Sequence, residues 1–149
     1  MAQSPPLSLK GRALAALARR EYSRLELARK LRPHAESAEQ LDAVLDTLEA
    51  GKLLSNARFA ESLAHRRAER FGVARVKQEL KSHQLAPELI AEQVAQLRAS
   101  EFERARAVWQ KRFGEPPLDA QARARQMRFL AARGFSADVI RRVVGGDDE

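Results

Sequence analysis

The sequence predicts an all-α protein, an elongated array of three tandem three-helix repeats. Register is the first reason. Leu31, Leu80 and Leu130 are equivalent points 49 and 50 residues apart, with an apolar residue ten positions on (Leu41, Ile90, Ile140) and fourteen on (Leu45, Val94, Val144). At five positions on, Leu85 and Phe135 correspond, while the first repeat has polar Glu36. Units of this kind bury a continuous core only by stacking. The second reason is composition: 27 Ala in 149 residues favour helix and a thin, closely packed core. Third, helix caps fall where the register needs them.

Residues 1–8, with Ser4, Pro5 and Pro6, read as a loose leader. The first repeat, 9–54, opens with a helix from Leu9 to Arg20 whose inner face carries Leu14 and Leu17. Ser23 with Glu26, and Ser37 with Gln40, form capping boxes that start its second and third helices, and Gly51 suits the C′ position that ends the third. In the second repeat, 55–100, Ser55 caps a helix carrying Phe59 and Leu63 that stops near Phe71-Gly72, where glycine tolerates a left-handed turn. Val76 and Leu80 mark the next helix, and Pro87 opens one carrying Ile90, Val94 and Leu97. The third repeat, 101–144, starts from a capping box of Ser100 with Glu103, runs through Ala105, Val108 and Trp109, and breaks at Glu115-Pro116-Pro117. Its later helices begin near Asp119 and Ser136, and 145–149 form an acidic tail.

The net charge is +7, spread as +2, +3 and +2 over 1–54, 55–100 and 101–149, and 21 of the 27 cationic residues are Arg. Arginine suits planar, two-pronged contact with phosphate or carboxylate, so the summed field attracts nucleic acid or an acidic protein surface. Many of these arginines can equally be solvated helix faces paired with carboxylates one turn away, such as Glu26 with Lys30. No cysteine, no signal-length apolar run and no stretch near the roughly 20 apolar residues of a membrane span point to a cytoplasmic, non-membrane setting.

Catalytic constellations are missing from the sequence. No glycine-rich loop is followed by Lys and Ser or Thr, and His34, His65 and His83 stand 31 and 18 residues apart without metal-site spacing. A non-enzyme without metal or cofactor is expected.

Four ordered stretches resemble the RecX family of recombination regulators. They are Ala18-Arg19-Arg20-Glu21-Tyr22-Ser23 continuing to Leu31, Gly51-Lys52-Leu53-Leu54-Ser55-Asn56-Ala57-Arg58-Phe59-Ala60, Gln78-Glu79-Leu80, and Arg128-Phe129-Leu130-Ala131-Ala132-Arg133-Gly134-Phe135-Ser136 with Ile140-Arg141. The resemblance spans residues 10–144. Two departures stand out: Gln84 precedes Leu85 where the family usually has glycine, and Ser55-Asn56 replaces an Asp-Asp pair. The resemblance implies an elongated, all-helical modulator that lies along the groove of the RecA–DNA filament, bridges neighbouring subunits and represses ATP hydrolysis and strand exchange; the protein itself is expected to be a monomer. The alternative is a protein that binds single- or double-stranded DNA directly through phosphate contacts, without sequence preference.

Two basic clusters are the candidate contact surfaces. Arg66, Arg67, Arg70, Arg75, Lys77 and Lys81 surround one helix corner, opposed locally only by Glu69 and Glu79, and Arg123, Arg125 and Arg128 form the second. Arg58 reads as structural, bonding neighbouring helix ends. Phe59, Leu63, Phe71, Leu80, Trp109, Phe113, Phe129 and Phe135 fall at packing positions and read as core instead of base-stacking platforms.

Overall fold

The structure is a computed structural model that describes residues 7–146. Of the expected leader and acidic tail, only Leu7, Ser8, Gly145 and Gly146 lie inside the described residues. These residues form nine α-helices and a 3-10 turn at Arg32–His34, with no strand among them. The helices are α1 (Leu9–Leu17), α2 (Arg24–Leu31), α3 (Ala38–Ala50), α4 (Asn56–Ala68), α5 (Val73–Lys81), α6 (Pro87–Ala99), α7 (Glu101–Arg112), α8 (Ala120–Ala132) and α9 (Ala137–Val144). The chain divides into two compact units between Ala60 and Glu61, inside α4.

In the first unit, Leu9, Ala13, Ala16, Tyr22, Leu27, Leu31, Leu41, Leu45, Leu48 and Leu54 make one core. Leu14, expected on the inner face of α1, is exposed, because Ala13 and Ala16 take the buried side and let the backbone approach closely. Ser23 and Ser37 cap as expected, accepting from the amides of Glu26 (3.1 Å) and Gln40 (3.0 Å). Gln40 reaches back to the amide of Glu36, one residue earlier than the capping-box pattern requires. Gly51 has φ −82°, and the left-handed residue is Lys52 at φ 63°. Glycine was therefore not needed for that turn. Asn56 does more than begin α4: its Oδ1 accepts from the Arg24 amide at 2.8 Å, satisfying an orphan donor at the start of α2 across 32 residues of chain.

In the second unit, Ala105, Trp109, Leu130, Phe135, Val139, Ile140, Val143 and Val144 form a core joining α7, α8 and α9. Trp109 buries its ring and donates from Nε1 to Gln126 at 2.8 Å. Asp119 and Ser136 cap α8 and α9 through the amides of Ala122 and Val139. Ser100 does not cap α7; its hydroxyl donates to the Leu97 carbonyl and accepts from Arg104 Nε, so the expected capping box does not form. Gln84 adopts φ 53° and precedes buried Leu85, just as Gly134 at φ 90° precedes buried Phe135. The left-handed turn is thus kept without its usual glycine, against the steric preference of a side chain for negative φ.

The turn before α5 and the turn before α9 are joined backbone to backbone. The Gly72 amide donates to the Arg133 carbonyl at 2.8 Å and the Ala74 amide to the Gly134 carbonyl at 3.2 Å. A Cβ on Gly72 would stand 2.4 Å from the Gly134 carbonyl group. Gly72 has φ −83°, so glycine is required here for close approach and not for a left-handed turn as the sequence suggested. Between the two turns lies Glu101, 5% exposed, whose carboxylate accepts from the Val73 amide at 2.9 Å and the Ser136 amide at 3.4 Å. Arg104 gathers the helix ends on the other side, donating to the carbonyls of Ala68, Phe71 and Leu97 at 2.7 to 2.8 Å. Burial pulls the Arg104 guanidinium below its usual pKa, opposed by the neighbouring Glu101 charge.

Candidate interaction surface

The first cluster surrounds α5, and the helix divides it. Side chains advance about 100° per residue, so Arg75, Gln78, Glu79 and Ser82 share one side of α5 while Lys77 and Lys81 share another. On the first side, Arg67, Arg70, Phe71, Arg75 and Glu79 line an open depression of about 540 Å³. On the second, Lys77 and Lys81 join Arg98 of α6 along a separate groove. The expected single corner is two faces.

Its members are not equally free. Arg67 is engaged by Glu79 through Nε at 3.0 Å and Nη2 at 3.0 Å, and hydrogen bonding to that carboxylate raises its pKa. Arg75 stacks its guanidinium 4.2 Å from the Phe71 ring centre and donates to the Ala132 carbonyl at 3.4 Å, so part of its role is to close the joint between turns. Arg70 lies over the same ring at 5.5 Å, without a carboxylate partner among the described residues. Arg66 is exposed and bonds back only to the Ser62 carbonyl of its own helix.

Sequence reasoning missed Arg133 and Arg112, which extend this surface. Arg133 stands 5.8 Å from Phe71 and 4.8 Å from Phe129, and donates to the Arg70 carbonyl at 3.3 Å. Arg112 lies 5.5 Å from Phe129 and 5.6 Å from Phe113, and those two rings meet edge to face at 5.4 Å. Phe71, Phe113 and Phe129 are half-buried; Phe113 and Phe129 pack against the core of α7, α8 and α9, in line with the packing role expected, and all three rings also face guanidinium groups, a role the sequence reading did not foresee. Phe59, Leu63, Leu80, Trp109 and Phe135 are buried. Phe129 lies one helical turn before Arg133, so that contact was within reach of the sequence; Phe71 and the Arg70 carbonyl are more than 60 residues away and gave no local signal.

In the second cluster, Arg123, Arg125 and Arg128 are exposed on α8 and their side chains make no hydrogen bond or ion pair among the described residues. Helical geometry puts Arg125 and Arg128 on one side and Arg123 on another. Arg58 pairs with Glu21 at 2.9 Å, in keeping with a structural reading. Glu26 pairs with Arg20 at 2.8 Å in place of Lys30. No group of three or more His, Cys, Asp or Glu suited to a metal occurs among the described residues, and no helix there is long and apolar enough to cross a membrane.

Family profiles for the second and third three-helix domains of RecX match residues 55–92 and 99–144. Regulatory protein RecX of Ralstonia pickettii is 60% identical over 144 residues, covering 97% of this chain and 91% of that protein. Regulatory protein RecX of Pseudomonas putida is 41% identical over 145 residues, with 96% and 93% covered. A crystal structure of RecX from Lactobacillus salivarius matches with a TM-score of 0.79 at 17% identity, covering 94% of each chain, which shows the same all-α helical repeat fold. With relatives this similar along nearly the whole length, the chain belongs to the RecX family.

Proposed function

We propose that this protein is a cytoplasmic regulator that binds the RecA–DNA filament and represses its ATP hydrolysis and strand exchange, and so modulates recombination and DNA repair. The observation that carries the proposal is identity of 60% with a protein named regulatory protein RecX, over 97% of the chain. The surface chemistry is compatible with it. Arg66, Arg70, Arg123, Arg125 and Arg128 have no carboxylate partner among the described residues, and half-buried rings hold Arg70, Arg112 and Arg133 in place. A preordered guanidinium loses less side-chain entropy when it meets an anion. Regulation of this kind needs no chemistry of its own, and the isolated protein is expected to turn over no nucleotide.

The test is ATP hydrolysis by the cognate RecA on single-stranded DNA, titrated with this protein. Hydrolysis should fall to a plateau, and unchanged hydrolysis at saturating protein would reject the proposal. A second reading, direct binding to DNA through phosphates, is favoured by the bare Arg125 and Arg128 pair on α8. It predicts affinity for a naked oligonucleotide that falls linearly in log–log form with salt. Inhibition that persists at salt concentrations abolishing oligonucleotide binding separates the two.

A further inference from the structure

We propose that the groove between α5 and α6 is a docking site for an acidic amphipathic helix of a partner protein. Its volume is about 650 Å³. Leu85, Ile90 and Val94 form the floor, the exposed Ala91 and Ala95 make a shelf along α6, and Lys77, Lys81 and Arg98 form the rim. No carboxylate lines it, and the three cations make no hydrogen bond or ion pair among the described residues.

The internal repeat shows that the two alanines of this shelf are peculiar to the second repeat. Forty-nine positions earlier, Ala91 and Ala95 correspond to Asp42 and Asp46 of α3, which pair with Arg24 at 3.8 and 2.8 Å. Fifty positions later, Ala91 corresponds to Arg141, a long side chain paired with Asp138. Ile140 and Val144 are there only 3% exposed, whereas Ile90 and Val94 retain 9% and 8%. At the corresponding helix positions, therefore, the first repeat carries carboxylates paired with Arg24 and the third a long cation, whereas the second carries two methyl groups.

The occupant follows from shape and charge. Ala91 and Ala95 are one helical turn apart, so a second helix can lie close against them and insert apolar residues at i, i+4 and i+7 toward Leu85, Ile90 and Val94. The lysine and arginine stems add apolar wall while their heads face the flanks of that helix, where Asp or Glu complete the contact. A nucleic acid would meet the cations but leave the apolar floor uncovered. The inference does not depend on the recombinase reading, because its test uses no filament.

The probe is a fluorescein-labelled synthetic helix of about 15 residues, with Leu at the i, i+4, i+7 positions and Glu on both flanks, followed by fluorescence anisotropy against the full-length protein. Saturable binding is expected. The double variant Ala91→Glu/Ala95→Glu should weaken it at least about tenfold, equivalent to about 1.4 kcal/mol, with unchanged helix content by circular dichroism. A matching peptide with Lys in place of Glu should not bind. Should the Glu variant misfold, Lys77→Gln/Lys81→Gln provides the same comparison. The proposal is overturned if the Lys peptide binds as tightly, if the folded variants bind the Glu peptide like the parent, or if a single-stranded oligonucleotide but not the peptide loses affinity in the variants.

Discussion

Glu101 is the residue on which the second unit turns, because a buried carboxylate is tolerated only when hydrogen bonds replace its water. Replacing it by Ala removes acceptors from two backbone amides, each costing about 1–3 kcal/mol when left unsatisfied. The expected loss of stability is therefore about 2–6 kcal/mol, measured by chemical denaturation; a loss near the value of an exposed substitution would show that solvent reaches Val73 and Ser136. At the surface, the arginines divide by partner. Charge reversal at Arg66 and Arg70 should abolish filament inhibition with little change in thermal midpoint, since neither holds a carboxylate. Arg67→Ala removes a pair in which both side chains remain more than a third exposed, so its effect on folding should be within about 1 kcal/mol. Equal loss of inhibition in Arg67→Ala and in the Arg66/Arg70 variant would mean that ion pairing does not decide which arginines are available.

At the scale of the element, most local caps were legible, although Ser8, assigned to the leader, caps α1 by accepting from the Gly11 amide. Ser23, Ser37, Ser55, Asp119 and Ser136 each accept from an amide three residues on, and that spacing is visible in the sequence. Caps supplied from afar were not legible: Asn56 serves Arg24 and Glu101 serves Val73, 32 and 28 residues away. Nothing around Val73 announces the absence of a local cap. The repeat register held for the second and third helices of each repeat, whereas α4 and α7 begin only 45 residues apart, because the Glu115-Pro116-Pro117 connection lengthens the third repeat. Charge was misread differently. Density along the chain is visible in the sequence, but the division of Arg75 from Lys77 and Lys81 depends on helix periodicity, and the approach of Arg133 to Phe71, 62 residues away, depends on tertiary packing. The two glycines at helix ends separate the same two kinds of reason. Gly51→Ala meets only ordinary contacts at 3.5 Å and should change stability by less than about 1 kcal/mol, whereas Gly72→Ala forces backbone apart at 2.4 Å and should cost several times more. Comparable thermal midpoints for the two variants would show that the joint can open without cost.

Over the whole molecule, basic charge is distributed along the chain, and the sequence was sufficient to suggest an anionic partner while leaving the contact faces open. The joint between the turns before α5 and α9 bears on how far such a repeat protein can be divided. The start of α5 has no side-chain cap of its own, and the amides of Gly72, Val73 and Ala74 are satisfied by Arg133, Glu101 and Gly134. The first turn of one repeat is thus finished by residues belonging to the next. In hydrogen exchange these three amides should open together with the amides of α9 in a single cooperative event; exchange of Val73 well before Val143 would contradict this. A chain ended at Ser100 would keep every residue of α5 and lose the acceptors of its first turn, so its helix should fray from Gly72 onward. The period at which the sequence repeats is therefore not the place at which the protein can be severed.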